Sequence, residues 1–189
     1  MRKLAVFASG SGSNFEAIVK ACKKKLINGE VVFVLYDRKN AFVSERAKRL
    51  GIKSIYLNPN DFSSKDAYED EIIYHLTINK IELVCLAGYM RIISMKLILA
   101  YLDRIINIHP SLLPAFKGKD AIADAYNYPV KITGVSVHHV VLEVDGGKII
   151  AQKALIIKKD ESLESLTKRI HRIEHQLYPL AINKILEEI

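Results

Sequence analysis

Leu4-Ala5-Val6-Phe7-Ala8-Ser9-Gly10-Ser11-Gly12-Ser13-Asn14-Phe15 changes character twice. Leu4–Ala8 is a short unbroken apolar run, as expected of a strand buried on both faces. Ser9–Asn14 is a small polar loop. From Asn14 to Lys25, apolar residues recur at Phe15, Ile18, Val19 and Cys22, the spacing of one helical face. Strand, glycine loop and helix form the opening unit of an α/β sheet.

The alternation continues outward from that unit. Strands are predicted at Val31–Tyr36, Lys53–Leu57, Ile81–Ala87 and Arg104–His109. Helices are predicted at Ala41–Leu50, with Gly51 as the stop, and at Ser64–Asn79, Ser94–Tyr101 and Lys119–Asn127. Thr133–Val140 and Lys148–Lys158 read as antiparallel neighbours joined through Asp145-Gly146-Gly147. Ser162–Ile189 reads as a helix that Pro179 breaks or kinks. The pattern predicts an α/β fold with a mostly parallel sheet and a mixed, antiparallel C-terminal part. In such sheets ligands sit beyond the carboxyl ends of the strands. That places interest in Ser9–Asn14, Gly88–Ile93, Asn107–Pro114 and the loop around Asp145.

The 189 residues, half of them hydrophobic, suit one domain with a substantial core, taken as residues 1–189. No repeat, linker or low-complexity tract interrupts them, and no apolar run reaches the roughly 18 residues of a membrane span. The start, Met1-Arg2-Lys3, lacks the long apolar core of a signal peptide. Cys22 and Cys85 form no CxxC motif and no disulfide framework, so a reducing, cytoplasmic setting is expected. Lys and Arg outnumber Asp and Glu by 28 to 21. Aromatic content is 8% with no aromatic–basic cluster. The charge therefore fits an enzyme of anionic metabolites better than a nucleic-acid binder.

Gly10-Ser11-Gly12-Ser13-Asn14 could be a phosphate cradle, a dinucleotide turn or a plain connection. Glycines let backbone N–H groups approach an anion at a helix N-terminus, and Ser13 or Asn14 could cap that helix. Asp37 stands where a ribose-binding acid would belong, but the third glycine of a dinucleotide fingerprint falls at Phe15. Additional Ser and Asn donors suit a terminal monophosphate.

Asn107 and His109 interrupt an apolar strand and point to the same side. An amide beside an imidazolium can hold the oxyanion of a tetrahedral intermediate. Asp145 is available as a carboxylate partner that favours the charged imidazole. Farther on, His171-Arg172-Ile173-Glu174-His175 matches a zinc-protease pattern without an assignable third ligand, so no metal is expected. Glu174 is expected in the site, with the two histidines packing or meeting solvent. His138 and His139 point to opposite faces and receive no role.

Together with Ala87-Gly88-Tyr89-Met90-Arg91-Ile92 and the stretch Asn107-Ile108-His109-Pro110-Ser111-Leu112-Leu113-Pro114, these motifs stand in an order that resembles the folate-dependent phosphoribosylglycinamide formyltransferases of purine synthesis. The resemblance spans essentially the whole chain and implies their Rossmann-like three-layer formyltransferase fold. It implies catalytic Asn107, His109 and Asp145. It implies substrate contacts by Gly10, Ser11, Gly12, Ser13, Asn14, Pro110 and Glu174. Folate contacts fall to Lys65, Met90, Arg91, Ile92, Ile93 and Asn107, with Lys65 replacing an Arg found in many members. Asp120 and Ile122 stand where some members carry histidines.

The implied reaction passes the formyl group of 10-formyltetrahydrofolate to the amine of glycinamide ribonucleotide, without metal or nicotinamide. Partners are then small molecules, with no nucleic acid or membrane, and the protein is a monomer or homodimer. Arg91 is expected to act through loop shape more than charge, so that Arg91→Met binds folate nearly as well as the parent. The alternatives are a formyltetrahydrofolate hydrolase, which typically carries an N-terminal regulatory domain, and a methionyl-tRNA formyltransferase, which needs a further C-terminal domain. A nicotinamide-binding Rossmann module is a more distant rival.

Overall fold

The computed structural model describes residues 1–189. Its seven strands are β1 (Arg2–Ala8), β2 (Gly29–Tyr36), β3 (Lys53–Tyr56), β4 (Leu83–Leu86), β5 (Ile105–His109), β6 (Ile132–His139) and β7 (Ile149–Ile156). They form one sheet in the order β3-β2-β1-β4-β5-β6-β7. Pairings from β3 through β5 are parallel, and β6 and β7 join antiparallel. The strand order reverses between β1 and β4, so the crevice at the topological switch point opens beside their carboxyl ends.

The helices are α1 (Ser13–Lys23), α2 (Val43–Leu50), α3 (Lys65–Ile78), α4 (Met95–Ala100), α5 (Ala121–Asn127) and α6 (Leu163–Glu188). The period-2 alternation of each buried strand feeds two cores. Leu4, Val6 and Ala8 face the core built with Phe15 and Ile18 of α1, Val43 of α2, and Ile170 and Tyr178 of α6. Ala5 and Phe7 face the other core, with Tyr68, Ile72 and Leu76 of α3 and Leu97 of α4. Helix, sheet and helix are therefore the three layers. Ser64, Ser94 and Ser162 start α3, α4 and α6 by accepting backbone N–H groups on their hydroxyls.

Two local features depart from the sequence reading. Pro179 does not break α6, which continues through it to Glu188. Buried neighbours on the same face, including Tyr178, Ala181 and Ile182, outweigh the lost backbone bond. A short 3-10 turn at Pro59–Asp61 lies where no element was foreseen. No helix is long and apolar enough to cross a membrane.

Candidate active site

A cavity of about 740 Å³ opens where β1, β4 and β5 end, as the switch point requires. Gly10–Asn14 forms one wall. The N-cap of α1 is Gly12 at φ 72°, and neither Ser13 nor Asn14 caps the helix with its side chain. A Cβ at Gly12 would lie 2.5 Å from Val43 Cγ2, so the glycine serves the close approach of α2 as well as the turn. Helix α2 grips the loop by its carbonyls. Val43 N–H donates to Gly10 O at 3.1 Å, and Arg46 Nε donates to Ser11 O at 2.7 Å. The first-turn N–H groups of α1, which have no helical acceptor, are left for an anion.

Behind this loop lies a polar hollow of about 390 Å³, lined by Ser11, Ser13, Lys168, His171, Arg172 and His175. The cations of α6 thus face the same loop. Sequence spacing could not reveal this pairing, because it depends on how α6 crosses α1.

Asn14 Nδ2 donates to Glu174 Oε2 at 3.0 Å, and His171 Nδ1 donates to the same oxygen at 2.8 Å. Glu174 is buried, and its Oε1 takes no protein donor, leaving an acceptor at the cavity. His171 lines the cavity through its contact with Glu174 while 47% of its side chain stays open to solvent, as expected. The Glu174 carboxylate beside it raises the imidazole pKa, with burial opposing. The zinc-like spacing on α6 is thus an acid–imidazole pair.

Asn107, His109 and Asp145 come together as anticipated. His109 Nδ1 and Asp145 Oδ2 are 3.5 Å apart, and His109 Nε2 donates to Phe116 O at 2.8 Å. Nε2 is thus held by a backbone carbonyl, and Nδ1 faces the carboxylate. Gly118 N–H also donates to Asp145 Oδ2, at 2.9 Å. Burial alone would raise the Asp145 carboxyl pKa. The His138 ring, the Gly118 amide and the His109 imidazole outweigh burial and hold it below the usual carboxylate value.

His138 is the residue the sequence reading missed. The antiparallel register sets it opposite Asn107, and its Nε2 lies 3.2 Å from Asn107 Nδ2 and 3.5 Å from Asp145 Oδ1. Alternation along β6 separates it from His139, but nothing local tells which of the two faces inward.

Met90, Arg91, Ile92 and Ile93 line the cavity opposite the α6 side, as do Asn107 and Pro110. Met90 N–H donates to Ser9 Oγ at 2.9 Å, tying this loop to the end of β1. Asp37 is engaged by Arg91 at 2.7 Å and is not open to a ribose. Phe15 lies fully buried in the first turn of α1, where the fingerprint glycine would stand. Lys65 sits exposed at the start of α3, outside the cavity walls, so the structure does not join it to the other folate residues. Asp120 and Ile122 do line the cavity.

An imidazole, an amide and a carboxylate gathered over a switch-point crevice suit the oxyanion of a tetrahedral intermediate, and the fold and site define an α/β group-transfer enzyme. Residues 2–182 match the family model described as formyl transferase, and the chain belongs to that family. It is 46% identical to the phosphoribosylglycinamide formyltransferase of Bacillus subtilis (strain 168), covering 98% of this chain and 95% of that protein. Identity to the Escherichia coli (strain K12) enzyme of the same name is 38%, over 95% of this chain and 85% of that one. Among solved structures, glycinamide ribonucleotide transformylase 1 from Geobacillus kaustophilus superposes with a TM-score of 0.95 at 48% identity, covering 98% of this chain and 99% of that chain.

Proposed function

We propose that this chain transfers the formyl group of 10-formyltetrahydrofolate to the amine of glycinamide ribonucleotide, a step of de novo purine synthesis. The products are formylglycinamide ribonucleotide and tetrahydrofolate, and one domain spanning residues 1–189 does the work. The observation that carries this reading is a single cavity with an anion-ready helix start at one wall and the Asn107–His109–Asp145 set at another.

Gly10–Asn14 would take the substrate phosphate on backbone N–H groups, with Lys168 and Arg172 supplying positive charge nearby. Glu174 would accept from the substrate through its free oxygen, and Pro110 would shape the neighbouring wall. The residues opposite fit a folate, because Met90 and Ile92 present apolar surface there beside Leu142 and Val144. When bound, 10-formyltetrahydrofolate supplies an activated formyl carbon.

As the substrate amine bonds to that carbon, the formyl oxygen gains negative charge. Asn107 and His109 would donate to it. For His109 this exchanges one oxygen acceptor, the Phe116 carbonyl, for another. Asp145 would keep His109 charged and help pass the proton from the attacking amine to the folate nitrogen as the old carbon–nitrogen bond breaks. The proposed chemistry calls on no metal and no nicotinamide.

Mixing the protein with glycinamide ribonucleotide and 10-formyltetrahydrofolate, and following the folate absorbance, tests the reading. Formylglycinamide ribonucleotide should appear in step with tetrahydrofolate. Release of formate at an equal rate without the ribonucleotide would identify a hydrolase instead.

A further inference from the structure

We propose that Arg91 acts by neutralising the buried Asp37 carboxylate and not by touching the folate, so that an unpaired Asp37 would force the formyl-donor loop open. The inference rests on the reading that residues 90–93 hold the folate.

Asp37 follows the last residue of β2, and its side chain is fully buried at 0% exposure. Its Oδ2 accepts Arg91 Nε at 2.7 Å, and this is its only ion pair. Its Oδ1 has no partner at all. The Tyr68 and Tyr89 hydroxyls, 2.7 Å apart, feel the same buried charge and offer no cation.

The loop above is anchored at both ends. Met90 N–H donates to Ser9 Oγ, and Ser94 N–H donates to Glu69 Oε1, each at 2.9 Å. Between these anchors, Arg91–Ile93 makes no backbone hydrogen bond, so the Arg91 side chain is the sole hydrogen-bonded tether of that stretch. Arg91 itself is about half exposed, with 47% of its side-chain surface open.

The two partners are therefore not equivalent. Removing Arg91 strands a carboxylate that water cannot reach, and the loop must open to hydrate it. Removing the Asp37 charge strands a guanidinium that water already reaches. Breaking a buried pair from the solvent-exposed side costs more than removing both charges. This reverses the expectation that Arg91→Met is nearly neutral for folate.

The experiment measures tetrahydrofolate and glycinamide ribonucleotide affinities separately, with circular dichroism and melting curves, for Arg91→Met, Arg91→Lys, Asp37→Asn and the double variant Asp37→Asn/Arg91→Met. Arg91→Met should weaken tetrahydrofolate by at least about tenfold, while ribonucleotide affinity stays within about twofold. The double variant should recover to within about threefold of the parent, and Asp37→Asn alone should stay within that range. Arg91→Lys keeps the neutralising charge and should also bind within about threefold, which keeps the test alive if Arg91→Met fails to fold.

A double variant as weak as Arg91→Met, or an Arg91→Met that binds like the parent, overturns the proposal. Ile92→Asp separates it from the reading beneath. If that charge on the cavity wall weakens tetrahydrofolate and the double variant shows no rescue, only the Asp37 role is lost. If neither Ile92→Asp nor Arg91→Met affects tetrahydrofolate, the folate does not lie on this loop and both ideas fall.

Discussion

Asp145 adopts φ 52°, a conformation that asparagine tolerates. An asparagine there can still accept the Gly118 N–H, so Asp145→Asn changes the charge between His109 and His138 and little else. With the carboxylate gone, nothing anionic faces His109 Nδ1, and the proton relay loses its acceptor. We expect kcat to fall by at least about a hundredfold, while both substrate affinities change far less. A folded variant keeping more than about a tenth of parental kcat, with chemistry rate-limiting, would exclude the role. The loop glycines offer a second residue-scale test. A Cβ at Gly10 meets nothing within 4 Å, whereas one at Gly12 strikes Val43. Gly10→Val should therefore leave the melting temperature nearly unchanged and weaken glycinamide ribonucleotide by about tenfold or more, with folate affinity little altered. Equal losses for both ligands would remove the phosphate from this loop. Asn107, His109 and Asp145 were legible because polar residues in an apolar strand and a glycine turn stand out locally. His138 was not, because its value comes from lying across the strand from Asn107.

Helices α1 and α2 are joined by Glu16, and the joint bears on the phosphate loop. Glu16 pairs with Lys20 at 2.6 Å and Arg49 at 2.8 Å, and also with Arg46, whose Nε holds Ser11 O. The Lys20 hydrogen bond first, then Arg46, lowers the Glu16 carboxyl from 4.5 to about 2 against the opposing effect of burial. A carboxylate lowered on folding stabilises fully above its unfolded value, near 4.5, and loses that contribution as pH falls toward about 2. Solvent screening limits the network to roughly 1 kcal/mol. Glu16→Gln should then lower the melting temperature by about 2–4 °C at pH 7, with the difference shrinking through that acid window. A difference that grows below pH 4 would contradict the assignment. The existence of these helices was readable from the spacing of Phe15, Ile18 and Val19 and from Gly51, which ends α2 in the left-handed region. The N-terminal detail was not. Ser13 and Asn14 have capping chemistry, yet Asn14 turns to Glu174 on α6, and a contact across the molecule outweighs the local preference.

At the scale of the molecule, one tyrosine fixes the two halves of the site against each other. Tyr178, fully buried on α6, has its hydroxyl 2.8 Å from Leu86 O of β4 and 3.1 Å from Ile106 O of β5. Leu86 leads into the proposed folate loop, and Ile106 precedes Asn107. One helical turn before Tyr178 on the same face lies Glu174, and His171 is one turn earlier again. The parallel sheet and its switch point followed from strand–helix alternation, but this contact between α6 and the sheet was not legible, because it joins residues 72 and 92 positions apart. Tyr178→Phe keeps the ring packing and removes the one hydrogen that the buried Leu86 and Ile106 carbonyls share, at a cost of about 1–3 kcal/mol. That corresponds to a melting temperature lower by at least about 2–4 °C for a chain of this size. If the bond also registers α6 against β4 and β5, the apparent affinity for glycinamide ribonucleotide should drop by about threefold or more, because Glu174 and the basic face of α6 shift together. Folate affinity should hold, since Met90–Ile93 are anchored from Ser9 and Asp37 and not from α6. Melting curves with separate titrations of the two ligands check both parts. A destabilised variant with unchanged ribonucleotide affinity would reduce Tyr178 to a core residue, and a parallel loss of both affinities would point to general loosening of the sheet.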